Sequence, residues 1–124
     1  MKKYISAYIL LFILVILSQC KNAGLPSGDA DNGGLVLPGN FEAVVVADSI
    51  GRARHLAINN NGDIYVKLRE SYADGSNVAM RDTDNDGKAD IIKKFSVYDD
   101  PMGYGTAMRI HDGYLYYSST AQVF

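Results

Sequence analysis

The chain has 124 residues and a formal net charge of -2, and it is 48% hydrophobic and 21% charged. This composition is typical of a folded protein and excludes a disordered chain. A single cysteine excludes a disulfide framework, and a weakly acidic chain without a basic stripe predicts no nucleic-acid partner.

The chain begins with the features of a targeting segment. Two lysines precede an apolar run over residues 5–17, which is shorter than the ~20 apolar residues that span a bilayer. The run ends at Leu17-Ser18-Gln19-Cys20, which resembles the lipobox of bacterial lipoproteins, in which the cysteine is acylated and becomes the mature N-terminus. We expect a lipoprotein signal peptide over residues 1–19 and lipidation of Cys20, with an ordinary secretory signal as the alternative.

A polar segment follows the cysteine. Residues 21–34 (KNAGLPSGDADNGG) are rich in Gly, Asn and Asp and have little to bury, so residues 20–34 are expected to be a lipidated cysteine and a flexible tether. Lys21 directly after the acylated position resembles Gram-negative sorting signals for the outer membrane. The membrane is therefore a predicted partner through Cys20, with the protein facing the periplasm or the cell surface.

The remainder of the chain, residues 35–124, is predicted to be all-β. Its apolar residues alternate in short runs without helical spacing, and turns rich in Asn, Asp and Gly separate the runs. The predicted strands cover residues 41–47, 54–59, 63–68, 77–81, 91–98, 106–110, 114–118 and 121–124.

Two of the predicted hairpins are similar to each other. In each, an apolar strand is followed by a turn that ends in glycine and by a tyrosine-containing strand, and Gly62 and Gly113 are 51 residues apart. A repeat near fifty residues with about four strands is typical of a β-propeller blade. Because a propeller needs at least ~4 blades, residues 35–124 are expected to be the first one to two blades of an incomplete propeller and the N-terminal part of a longer protein. A small sandwich is the alternative.

The strongest chemical signal is an acidic loop between two predicted strands, with the sequence DTDNDGKAD over residues 82–90. Asp at positions 1, 3, 5 and 9 and Gly at position 6 bring hard oxygen ligands around one point, which suits Ca²⁺. Position 12 is Lys93, where an EF-hand has Glu, so the loop is not an EF-hand sensor. A solvated turn is the alternative. The predicted ligands are the side chains of Asp82, Asp84, Asp86 and Asp90 and the carbonyl of Lys88.

A second candidate site lies at the start of a predicted strand. Arg54 and His55 follow Arg52 there, and the first strand of a propeller blade lines the central channel. These residues are therefore candidates to face an anionic ligand or cofactor, the alternative being polar residues at a strand entrance.

The order of the motifs resembles a known family. The segments LPGNF (37–41), ARHLAI (53–58), NGDIYV (61–66) and MRDTDNDGKAD (80–90), followed by residues 103–117, are similar to the opening of glucose/sorbosone dehydrogenase-like six-bladed propellers. The resemblance implies a periplasmic quinoprotein that oxidises a sugar or sugar aldehyde, with pyrroloquinoline quinone (PQQ) at the top of the channel and calcium assisting. Arg54, His55 and Tyr104 are the candidate cofactor contacts.

The same resemblance limits what this chain is expected to do alone. The family's general base is a histidine that is implied to lie beyond Phe124, so we expect no dehydrogenase activity from these residues by themselves. Two other functions stay open at this point: a non-catalytic, calcium-stabilised binding propeller at the cell surface, and a lactonase-type propeller hydrolase.

Overall fold

Among the residues that the structure describes, six β-strands make up the folded part. The computed structural model describes residues 24–97 and 105–124, and within these ranges it contains no α-helix. The prediction of an all-β protein is confirmed. The strands are β1 (Ala53–Ile58), β2 (Ile64–Leu68), β3 (Asn77–Arg81), β4 (Ile91–Phe95), β5 (Met108–His111) and β6 (Tyr114–Tyr117).

The strands form two antiparallel sheets. β1, β2, β3 and β4 are neighbours in chain order in a four-stranded sheet, and β5 and β6 form a hairpin. β5 lies in contact with β1. A four-stranded meander whose first strand adjoins the first strand of the next hairpin is the arrangement of one propeller blade and the beginning of another. The described strands therefore agree with the predicted incomplete propeller.

One face of the four-stranded sheet carries the hydrophobic core. Val66 and Leu68 of β2 and Val78 and Met80 of β3 are buried, and the register sets Val66 opposite Val78. These residues share a face because side chains alternate along a strand. Ile50 packs against them, so the segment before β1 helps to cover this face.

Aromatic rings join the opposite face of the sheet to the hairpin. The ring of Phe95 in β4 makes edge-to-face contacts with Tyr65 of β2 and with Tyr117 of β6, at centroid distances of 6.4 and 6.1 Å. The hydroxyl groups of Ser96 and Tyr117 are hydrogen-bonded at 2.8 Å. Edge-to-face packing is the favourable geometry for such rings, and here it holds the two sheets together.

The two similar hairpins close differently. In the second, Asp112 (φ 49°) and Gly113 (φ 79°) form a two-residue loop, and positive φ at both central positions defines a type I′ turn. In the first, residues 59–63 separate β1 from β2, and Gly62 has a φ of 89°. Glycine therefore occupies a left-handed position in both turns, as the repeat suggested.

The strand predicted over residues 41–47 is not formed. Its backbone bonds to side chains instead of to another strand: the N–H of Ala43 donates to Asn32 Oδ1 at 3.0 Å and the N–H of Val45 donates to Asp29 Oδ2 at 2.7 Å. The N–H of Asp29 in turn donates to the carbonyl of Ala43 at 2.8 Å. The partner of this segment is thus a polar loop, which hydrophobic alternation does not reveal.

The strand predicted over residues 121–124 is reduced to a single β-bridge between Ser118 and Val123. Tyr117 and Phe124 nevertheless exchange backbone hydrogen bonds of 3.2 and 2.8 Å, and their rings stack at a centroid distance of 5.3 Å. β4 ends at Phe95, and the remainder of its predicted length reaches Tyr98, which lies outside the described residues.

Candidate metal site

The acidic loop connects β3 to β4 at one end of the sheet. Arg81 and Ile91, which flank the loop, are the last residue pair of the β3–β4 ladder. Because consecutive turns of an antiparallel meander alternate between the two ends, the loop shares its end with the β1–β2 turn. Asp63 of that turn is bonded to Arg81 at 2.6 Å, which fixes the base of the loop.

Backbone N–H groups hold the first aspartate of the loop. Asp82 Oδ1 accepts from the N–H of Asn85 at 2.7 Å and from that of Asp84 at 3.2 Å, and Asp82 Oδ2 accepts from the N–H of Gly87 at 2.8 Å. Asn85 (φ 64°) and Gly87 (φ 89°) have left-handed backbones, which curl the loop around this carboxylate. Asp84 and Asp86 make the same kind of local bond to N–H groups two residues further on.

The loop brings three carboxylates together. Asp82, Asp84 and Asp86 each offer one oxygen, and these oxygens all lie within 4.8 Å of one another. Two ligands at the usual Ca²⁺–oxygen distance of about 2.3–2.6 Å are at most about 5 Å apart. The three carboxylates could therefore hold a metal ion, and hard oxygen donors are the ligands that suit Ca²⁺.

The carboxylate of Asp82 is charged without help from a cation. Partial burial raises its pKa. The hydrogen bonds from the N–H groups of Gly87, Asn85 and Asp84 together lower the pKa by more than burial raises it, so it lies below its ordinary value of 3.8. An anion that is already held in place by backbone donors requires no deprotonation before it binds a metal.

The other two predicted ligands have partners of their own. Asp90 Oδ2 accepts from the N–H and the hydroxyl of Thr83, at 2.6 and 2.7 Å, and these bonds lower the pKa of Asp90. The Lys88 ammonium is paired with Asp29 Oδ1 at 2.8 Å, so its side chain points to the N-terminal segment. Ligation by Asp90 and by the Lys88 carbonyl stays a prediction.

Part of the segment predicted as a tether contacts the acidic loop. A Cβ added to Gly87 would lie 2.9 Å from the ring of Pro26, so the proline covers the glycine closely. Asp29 bonds to Lys88, Val45 and Ala43. The sequence did not single out Asp29, although the Asp-Ala-Asp-Asn-Gly pattern around it is typical of residues that bond to nearby backbone.

The predicted cofactor contacts lie elsewhere, on β1. The β1–β2 register shifts between Ala53 and His55, so Arg54 lies in a β-bulge, and both Arg54 and His55 are exposed. Arg54 lines an open cleft of about 510 Å³ together with Arg52, Ala53 and Arg69, here termed the arginine cleft. Tyr104 lies outside the described residues.

A buried lysine lies next to this cleft. Lys67 of β2 stands opposite His55, is fully buried, and donates from Nζ to the carbonyl of Leu68 at 2.9 Å. Burial, and then the charge of Arg54, lower the pKa of Lys67. The sequence analysis did not single out Lys67 or Arg69. The feature that could have indicated Lys67 is its position within an otherwise apolar strand.

Cys20 and the predicted signal peptide lie outside the described residues, and within the described ranges there is no helix long and apolar enough to cross a bilayer. No family model, curated protein or solved structure matches this chain.

Proposed function

We propose that this chain is the N-terminal part of a lipid-anchored propeller quinoprotein that oxidises a sugar or sugar aldehyde. In this proposal the chain supplies the anchor at Cys20, the first blade and a calcium loop. The observation that supports it most is the contact between β1 and β5, because the first strands of neighbouring blades line the channel of a propeller. Arg54 and His55 are exposed on β1.

The residues on β1 fit an acidic quinone. PQQ carries carboxylate groups, and the guanidinium of Arg54 offers N–H donors in a planar arrangement that matches a carboxylate. Arg52 and Arg69 add two positive charges at the same opening. When bound, PQQ supplies the acceptor for the hydride of the sugar. Arg54 would bind and orient a carboxylate, and the imidazole of His55 would donate or accept one hydrogen bond.

The test is sugar oxidation by the full-length protein, measured as reduction of a dye acceptor. We expect activity on aldoses that depends on added PQQ and falls in Arg54→Gln. Lys93→Gln is the matched control, because it removes a positive charge on β4, at the other edge of the sheet from β1. Activity that is unchanged by adding PQQ, or an absence of activity on every aldose tried, contradicts the proposal.

A second candidate function is a non-catalytic, calcium-stabilised binding propeller at the cell surface. The observation that favours it is the cluster of Asp82, Asp84 and Asp86, which needs no redox chemistry to serve a structural role. Calorimetric titration with calcium should give weaker binding in Asp84→Ala and Asp86→Ala and unchanged binding in Asp112→Ala. Equal binding in all the variants would show that the cluster is only a turn.

A further inference from the structure

We propose that the arginine cleft binds the carboxylate or phosphate group of a small molecule. The cleft lies where β1 begins and β2 ends, and Arg52, Arg54 and Arg69 are among the residues that line it. The N–H of Arg69 donates to the carbonyl of Arg52 at 2.8 Å. This bond ties the two backbones together beyond the end of the strand ladder and brings both arginines to one opening.

The chemistry of the cleft selects an oxyanion. A guanidinium presents paired N–H donors that match the two oxygens of a carboxylate or phosphate. Three like charges at one opening repel each other, and a bound anion relieves that repulsion. Arg54 is also near enough to the buried Lys67 to lower the pKa of its ammonium. This concentration of positive charge is local, because the chain as a whole has a net charge of -2.

A carboxylate of the protein itself, that of Glu70, is already paired with one of these arginines. Glu70 Oε1 is paired with Arg52 Nη1 at 2.7 Å, and both side chains are substantially exposed, at 38% and 62%. An exposed ion pair is weak, so an arriving anion can displace Glu70 from Arg52. Glu70 is thus an internal competitor of the ligand, and its removal should strengthen anion binding.

The inference rests on the proposed function for the place of the site, because the arginine cleft is also the opening where Arg54 would bind a carboxylate of PQQ. It goes beyond sugar oxidation, because the binding of an anion can be measured with no quinone present. Loss of PQQ-dependent activity and loss of anion binding are therefore separate outcomes, so either proposal can fail alone.

The experiment is calorimetric titration of the full chain in detergent with inorganic phosphate and with citrate, at constant ionic strength. Arg69→Gln should weaken binding at least about tenfold, because a charge-assisted hydrogen bond is lost. Lys93→Gln should leave the affinity unchanged. Glu70→Gln should raise the affinity, whereas Asp112→Asn, which removes an exposed carboxylate from the β5–β6 turn, should not.

Two results would overturn the inference. One is the absence of measurable binding of either probe to the wild-type chain. The other is an equal loss of affinity in Arg69→Gln and Lys93→Gln, which would mean that net charge and not the cleft attracts the anion. Circular dichroism checks the fold of each variant. If Arg69→Gln does not fold, the comparison of Glu70→Gln with wild type decides, and an unchanged affinity counts against the cleft.

Discussion

Asp63 of the β1–β2 turn forms an ion pair with Arg81. Its two carboxylate oxygens accept from Nε and Nη2 of Arg81, both at 2.6 Å, and Asn61 donates a further bond. The hydrogen bonds from Arg81, and then that from Asn61, lower the pKa of Asp63 to about 2. Since Arg81 ends β3, this pair joins the first turn of the sheet to the base of the acidic loop.

Replacement of Asp63 tests this pair through its dependence on pH. Because the folded-state pKa is below the ordinary value of 3.8, the stabilisation is fully present above that value and is lost as the pH falls toward about 2. We expect Asp63→Asn to lower the free energy of unfolding at neutral pH, with a difference from wild type that shrinks in acid. Urea unfolding across this pH range measures it.

A control defines what would contradict this expectation. Asp112→Asn removes a carboxylate that is 83% exposed and should change the free energy of unfolding little at any pH. A difference between Asp63→Asn and wild type that is the same at neutral and acid pH would show that the pair acts through packing and not through charge.

At the scale of single residues, the sequence predicts the site residues whose spacing along the chain matches a known ligand pattern. Asp82, Asp84 and Asp86 alternate along the chain, and the structure brings their oxygens together. It did not find Asp29, whose contacts with Val45 and Lys88 depend on the folding of a distant segment. Such contacts follow from tertiary packing, which local spacing does not encode.

At the scale of elements, the β2–β3 turn depends on Gly75. This residue is buried, has a φ of 136°, and its N–H donates to the carbonyl of Tyr72 at 3.0 Å. A Cβ at this position would lie 2.5 Å from the amide nitrogen of Phe95 and 2.6 Å from its carbonyl oxygen. The turn therefore packs directly on the backbone at the end of β4, and only glycine leaves room for it.

Gly75→Ala should destabilise the sheet. The alanine would combine an unfavourable backbone conformation with a steric clash against backbone atoms that cannot rotate away, and we expect a loss of roughly 1–3 kcal/mol in the free energy of unfolding. Gly39→Ala is the control, because no atom lies within 4 Å of its added Cβ. Chemical denaturation of the two variants compares them, and equal stabilities would contradict the close packing.

The strands that were predicted well are those bounded by strong turn residues. β3 matches its predicted range, Asn77–Arg81, because Gly75 precedes it and the acidic loop follows it. The segment over residues 41–47 is also apolar and rich in valine, but it pairs with the side chains of Asn32 and Asp29. Such a run predicts an extended backbone, whereas a strand also requires a neighbouring strand, and the sequence of one segment does not specify its neighbour.

At the scale of the whole molecule, the acidic loop is a point where separate parts of the chain meet. Lys88 pairs with Asp29 of the N-terminal segment, the N–H of Ala89 donates to the carbonyl of Val46 at 2.8 Å, and Pro26 covers Gly87. A cation that orders this loop would therefore also hold the segments before β1. We expect calcium to stabilise the folded chain as a unit and not the loop alone.

Thermal unfolding of the full chain in detergent tests this coupling. Loops of this kind outside the cell bind calcium with dissociation constants of ~10⁻⁴ to 10⁻³ M, so about 10 mM calcium should add about 1.4–2.7 kcal/mol to the free energy of unfolding. The double variant Asp84→Ala/Asp86→Ala should lose this increment, and Asp112→Ala should keep it.

Proteolysis within residues 26–34 should slow with calcium only where the loop is intact, because those residues dock on it. A calcium increment that persists in the double variant would place the ion elsewhere in the chain.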